Sequence, residues 1–218
     1  MSKNVLGTTS INTRLVHLQC WRTTARFRRY HDALKVRTSA QNYGDSKLRE
    51  VYEATSFAEI VGATHLRLAT RIEDHEGFDF EINNAGGGVR RVQTTFVDKD
   101  NGLSQRMVEL DNAPPRFGDL FQFEYHAPEF IFNKLRNRVN HKVKKRNERR
   151  EHQAENVDLL LHLNMSPRTT LDEFRVGLVG SVRHGLSEYE RVAVLYQCGR
   201  RVLVIDRRDP PEFFEITI

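Results

Sequence analysis

Asp79 and Glu81 stand two residues apart in "FDFEI" (78–82), and Gln93 and Thr95 stand two apart in "VRRVQTT" (89–95). Side chains two apart in an extended chain share a face. Each run therefore presents a polar pair on one side, with Phe78, Phe80 and Ile82, or Val92, Thr94 and Phe96, on the other. The connection "NNAGGG" accepts positive φ and predicts a hairpin turn. Across such a hairpin Asp79 and Gln93 bring a carboxylate and an amide oxygen to one edge. Two hard oxygens with a main-chain carbonyl and water make a site that Mg²⁺ accepts. The same pattern also describes the solvent face of any hairpin, so the neighbouring elements decide which reading holds.

Those elements can be read from periodicity. "GDSKLREVYEATSFAEIVGA" predicts a helix capped by Asp45 or Ser46 and running to about Val61, with Gly62 as its stop. Its inward stripe is Leu48, Val51, Tyr52, Thr55 and Ala58. Glu59 lies beside that stripe, where a carboxylate needs a partner or a metal, whereas Glu50 and Glu53 fall on faces expected to be solvated. "THLRLATRI" alternates as a strand, with Leu66, Leu68 and Thr70 on one face. Beyond an Asp/Asn/Gly/Pro-rich stretch (98–119), "DLFQFEYH" reads as a further strand.

"APEFIFNKLRNRVNHKVKKRNERR" is a helix with Pro128 in its first turn and an apolar seam of Ile131, Leu135, Val139 and Val143. "ENVDLLLHLNMSP" suits a strand buried on both faces. "LDEFRVGLVGSVRHG" follows as a helix that Gly177 and Gly180 weaken, and "YERVAVLYQ" and "RRVLVID" close as two strands. The C-terminal "RRDPPEFFEITI" is a short aromatic strand that either packs on the sheet edge or pairs with another chain. Residues 1–46 read as a basic extension, with a helix in "CWRTTARFRRYHDALKV" turning Trp21, Ala25 and Leu34 inward. The fold class is α/β, a central mixed sheet flanked by helices over residues 47–218.

The chain has 218 residues, 39% hydrophobic and 29% charged, and a net charge of +5. That sum hides a segregation. Residues 1–47 carry nine Lys/Arg against Asp32 and Asp45, residues 48–130 eight against fifteen Asp/Glu, and residues 131–150 nine against Glu148. An acidic middle between basic blocks suits a protein that holds cations beside a polyanion.

Together, Glu59 on the leading helix, "FDFEI", "VRRVQTT", the basic helix "FIFNKLRNRVNHKVKKR" (130–146) and "VDLLLHLN" (157–164) resemble the PD-(D/E)XK nuclease-like superfamily. The resemblance spans residues 47–206 in element order and implies a restriction-endonuclease-like core. It implies Mg²⁺ (or Mn²⁺) held by Asp79 and by Gln93 in the (D/E) position, with Glu59 as the helix acid and Thr95 in the lysine position. Gln93 replaces a carboxylate with a neutral amide, and Thr95 cannot carry a charge. Members of the superfamily tolerate glutamine there, and in some the lysine migrates to the neighbouring helix. Lys134, Arg138 and Lys142 recur at i, i+4, i+8 beside the apolar seam, and Lys142 is preferred to Lys134 for that role. Lys134, Arg138, Lys144, Lys145 and Arg146 are the expected phosphate contacts, and Arg149 and Arg150 share their solvent-facing character.

The expected activity is Mg²⁺-dependent phosphodiester hydrolysis on DNA, ahead of RNA. The other readings are a catalytically inactive nucleic-acid-binding or protein-interaction domain on the same fold, and a basic RNA-associated protein. A homodimer is what double-strand cutting by this fold implies. Other chemistry finds little footing. "AGGG" (85–88) lacks the ending of a phosphate loop, the nine histidines show no ligand spacing, and no Gly-x-Ser-x-Gly is present. Cys20 and Cys198 suit a reducing compartment. No run approaches the ~18 apolar residues of a membrane span, and the first residues lack a signal-peptide apolar region. The cytoplasm is the expected location.

Overall fold

The computed structural model describes residues 16–37, 46–70, 77–84, 88–97, 125–149, 154–163, 165–167, 171–196, 201–206, 210 and 212–215. A 3₁₀ turn (Val16–Gln19) leads into β1 (Arg22–Thr23), α1 (Thr24–Arg37), α2 (Ser46–Ile60), β2 (Ala63–Leu68), β3 (Phe80–Asn84) and β4 (Val89–Val97). Next come β5 (Tyr125–His126), α3 (Pro128–Glu148), β6 (Val157–Leu163), β7 (Ser166–Pro167) and α4 (Leu171–Val182). A second 3₁₀ segment (Arg183–Ser187) precedes β8 (Arg191–Tyr196), β9 (Arg201–Asp206) and β10 (Glu212–Glu215).

Eight strands form one mixed sheet in the order β1-β2-β3-β4-β6-β8-β9-β10, and β5 with β7 makes a small parallel pair. Strands β1 to β4 are antiparallel neighbours. Strands β4, β6 and β8 run parallel, with α3 and α4 as the crossovers, and β8, β9 and β10 are antiparallel again. The C-terminal strand thus packs on the sheet edge, the first of its two expected roles.

Alternation along β6 shows why two helical layers are needed. Leu160 joins the cluster of Phe27, Val51, Ala54, Phe57, Ala58, Phe80 and Val92 under α1 and α2. Leu159, Leu161 and Leu163 join Ile131, Leu135, Val139, Phe174 and Leu178 under α3 and α4. All seven residues of β6 are buried, so its two polar members need partners inside the protein. Asp158 has Arg90, with Nε at 2.7 Å, and His162 has Glu53.

Several expectations change. Residues 16–37, expected as part of an extension, belong to the folded body: β1 extends the sheet, and Leu18 and Phe27 lie in the core. In α1 the inward residues are Thr24 and Phe27, while Trp21 and Ala25 are exposed; Leu34's side chain falls outside the described residues. Helix α2 is buried far beyond a single stripe, because α1 covers one side of it and the sheet the other. Glu53, expected in solvent, is therefore 1% exposed. Phe78 and Phe80, expected on one face, enter opposite clusters, because the chain bends at Asp79 before β3 begins.

Glycines that weaken a helix by propensity can be required by packing. A Cβ on Gly177 would meet the Phe132 ring at 2.1 Å, so the residue permits the close approach of α4 to α3. Gly62 ends α2 with φ +70, the left-handed conformation that suits glycine. Of "DLFQFEYH", only Tyr125 and His126 lie among the described residues.

Candidate active site

The register of β3 with β4 ends at Phe80↔Val92, yet β4 continues to Val97. Antiparallel pairing turns the N–H and C=O of alternate residues toward the same neighbour, so Thr94 offers both groups to a strand that has already ended. Asp79 still donates its N–H to the Val92 carbonyl at 2.8 Å and accepts from the Ala69 N–H at 2.9 Å. Its carboxylate then reaches one step further, and Oδ2 accepts the Thr94 N–H at 2.5 Å. From α3, the Lys142 Nζ donates to the Thr94 carbonyl at 3.2 Å. A carboxylate and an ammonium thus fill the notch left where β3 stops.

Burial holds the Lys142 ammonium below the usual lysine range. The Asp79 carboxylate opposes that fall, Lys145 and Arg138 reinforce it, and Glu53 opposes it again. An amine lowered in this way exchanges its proton more readily than a solvated lysine.

Gln93 is next along β4, with its side chain on the α3 side of the sheet. The Tyr189 hydroxyl donates to its Oε1 at 2.7 Å. Tyr189 is fully buried, and burial pushes its phenol up to about 12, with the Arg146 guanidinium pulling down and Asp79 and Glu188 pushing up. Arg146 lies 5.1 Å from the Tyr189 ring centroid. It donates to the carbonyls of Glu188 and Ala154 at 3.1 and 2.5 Å. Expected among the phosphate contacts, Arg146 is instead 9% exposed and lies against Tyr189, because it falls seven residues after Val139 on the buried face of α3.

The other named residues divide. Thr95 is buried on the face of Gln93, in register with Leu161. Glu59 lies on the opposite side of the sheet from Gln93, in α2, where it is ion-paired with Arg28 of α1 through Oε2 and accepts a second bond from Arg28 Nε at 2.8 Å. Lys134 sits 5.4 Å from the Phe130 ring centroid and is half-buried, as is Arg138. Lys144 and Lys145 are exposed, Lys144 facing Glu148 at 3.9 Å.

Periodicity pointed to none of four participants. Thr94 acts through its backbone, and Tyr189, expected to open the strand "YERVAVLYQ", lies in the connection before β8. Glu53 and His162 form a buried pair, Nδ1 to Oε1 3.0 Å, that only the layer packing brings together. Among the described residues no group of three His, Cys, Asp or Glu side chains is arranged for a metal ion. Asp79 and Gln93 nonetheless match Mg²⁺ in donor type, one carboxylate and one amide oxygen. Comparison with protein families, with curated proteins and with solved structures gives no match.

Proposed function

We propose that the protein is a Mg²⁺-dependent phosphodiester hydrolase of nucleic acid, DNA ahead of RNA, built on a restriction-endonuclease-like core. One observation carries the reading: Lys142 places a half-buried ammonium on the Thr94 carbonyl while Asp79 holds the Thr94 N–H, so acid and base meet beside Gln93. The order helix, three antiparallel strands, crossover helix and parallel strand over residues 46–163 supports it.

In this reading Asp79 and Gln93 hold Mg²⁺ (or Mn²⁺), which supplies Lewis acidity at the phosphate. Lys142 stabilises the charge that develops on the phosphoryl oxygens and exchanges a proton at Nζ. Tyr189 orients the Gln93 amide by donating to its Oε1. Lys134, Arg138, Lys144 and Lys145 neutralise flanking phosphates, a salt-sensitive contribution.

Replacing Lys142 with Met tests this, because a thioether of similar length keeps the packing and removes the charge. Mg²⁺-dependent cleavage of plasmid DNA should fall at least about a hundredfold, the scale of a lost acid–base or charge-stabilising group, with thermal stability retained. A second reading, a binding domain without catalysis, has its own support: Asp79, Gln93 and Lys142 each already serve a protein group. DNA binding by a wild-type protein that never cuts would select it.

A further inference from the structure

The sheet carries a polar surface beside the notch that the proposed chemistry does not use. The apolar cluster under α3 and α4 draws on β6, β8, β9 and the far end of β4. Among the described residues that cluster takes no member from β1, β2 or β3. Trp21 is 38% and Val89 55% exposed, and Thr23 and His65 are exposed as well.

Strand register lines up one residue per strand across this surface. Arg22 opposite Leu66 sets Trp21 beside Arg67; Arg67 then faces Glu81, and Glu81 faces Arg91. The Arg67 guanidinium lies 5.8 Å from the Trp21 ring centroid and gives Nε to Glu81 at 2.7 Å. Arg91 reaches the other Glu81 oxygen through Nε at 3.3 Å and lies 5.4 Å from the Phe78 ring centroid. Glu81 is buried beneath the two guanidiniums, while the Arg91 side chain is 42% exposed. Arg67 and Arg91 thus share the one Glu81 carboxylate. Arginine carries five N–H donors, and among the described residues Arg91 spends only Nε. The row precedes Gln93 by two residues on the same face of β4, about 7 Å at the usual strand rise.

We propose that this row is a binding subsite for single-stranded nucleic acid. Arg91 takes a backbone phosphate through its outward fork, and Trp21 stacks on an unpaired base. The strand so held runs toward Asp79 and Gln93. The subsite rests on the nucleic-acid reading of the notch for its partner, not for its chemistry. A duplex keeps its bases stacked within itself and offers the indole nothing, and an acidic polypeptide matches the charge but not the ring.

Trp21 is the only tryptophan, so its emission reads this surface alone. The full chain, in EDTA so that no metal-dependent cleavage proceeds, is titrated with a single-stranded oligothymidylate. Saturable quenching is expected, with binding about tenfold weaker and a salt slope lower by about one phosphate in Arg91→Gln. Glu81 keeps Arg67 in that variant, and the replaced side chain is largely outside the core. Trp21→Ala, followed by anisotropy of a labelled strand, should weaken binding by a similar factor. A duplex of the same sequence and polyglutamate should leave the emission unchanged. Emission indifferent to the oligothymidylate, equal affinity in Arg91→Gln, or equal quenching by duplex or polyglutamate overturns the proposal. Quenching in a protein that cuts no DNA would remove the hydrolase reading and leave the subsite standing.

Discussion

Asp79, before β3, and Lys142, from α3, close the two open hydrogen-bonding groups of a single residue, Thr94: the carboxylate accepts from the N–H and the ammonium donates to the C=O. Each side chain therefore does for the backbone what the ended strand β3 no longer does. The arrangement places opposite charges at a defined break in the sheet.

The burial of Lys142 has a measurable sign. Its folded pKa lies below 10.5, so the unfolded chain keeps its proton to higher pH than the folded chain does. Below the folded pKa both states are protonated, and the buried charge is a constant cost. Through the window between the folded pKa and 10.5 the unfolded state binds more protons, and stability rises with pH. The stability difference between wild type and Lys142→Met, from urea unfolding, should shift in favour of wild type as pH climbs toward 10.5. A difference that stays flat would place the ammonium in solvent.

Tyr189 runs the other way. Its phenol is raised from 10 to about 12, so the folded state holds a proton that the unfolded chain has lost. Its contribution is present below 10 and is lost as pH rises through about 12. Spectrophotometric titration should show one late-ionising tyrosine, missing in Tyr189→Phe. The same variant removes the donor on Gln93 and should cost about 1 kcal/mol of stability and raise the Mg²⁺ concentration needed for half-maximal cleavage.

Glu53 and His162 should be strongly coupled. Removing one partner of a buried hydrogen-bonded pair leaves the other unsatisfied and costs about 1–3 kcal/mol. Glu53→Ala and His162→Ala should each destabilise on that scale, with the double variant well short of their sum. Additive losses in urea unfolding would show that the two groups do not depend on each other.

Gly177→Ala sets two effects against each other. Helix propensity favours alanine by about 1 kcal/mol, whereas overpacking costs about 1–3. The Phe132 ring cannot retreat easily, because it stacks on Phe174 with centroids 5.6 Å apart. Packing should win, and thermal melting should show a destabilised protein.

How far the sequence carried varies with the physics. The all-apolar run of β6, the seam of α3 and the Asn/Gly connection between β3 and β4 were legible because each obeys a local periodicity. Lys142 was legible as a helix lysine beside the seam, since that position must border the sheet. Glu53 was not, because its burial depends on α1 lying over α2, a contact between distant segments. The pairing of Glu59 with Arg28 has the same origin. Thr94 could not be seen at all: its part is played by peptide groups, and the bend that exposes them is a departure from the strand pattern.

The central claim is tested most directly by Asp79→Asn. The amide oxygen can still accept the Thr94 N–H, so the fold should persist, while the one carboxylate that the described residues bring to Thr94 is gone. Cleavage of a plasmid and of a labelled oligonucleotide would be followed for both proteins across a Mg²⁺ titration, with circular dichroism and DNA binding as controls. Cleavage by the wild type and none above background by the variant is expected, at unchanged fold and near-equal DNA affinity. Equal cleavage by the folded variant would contradict it.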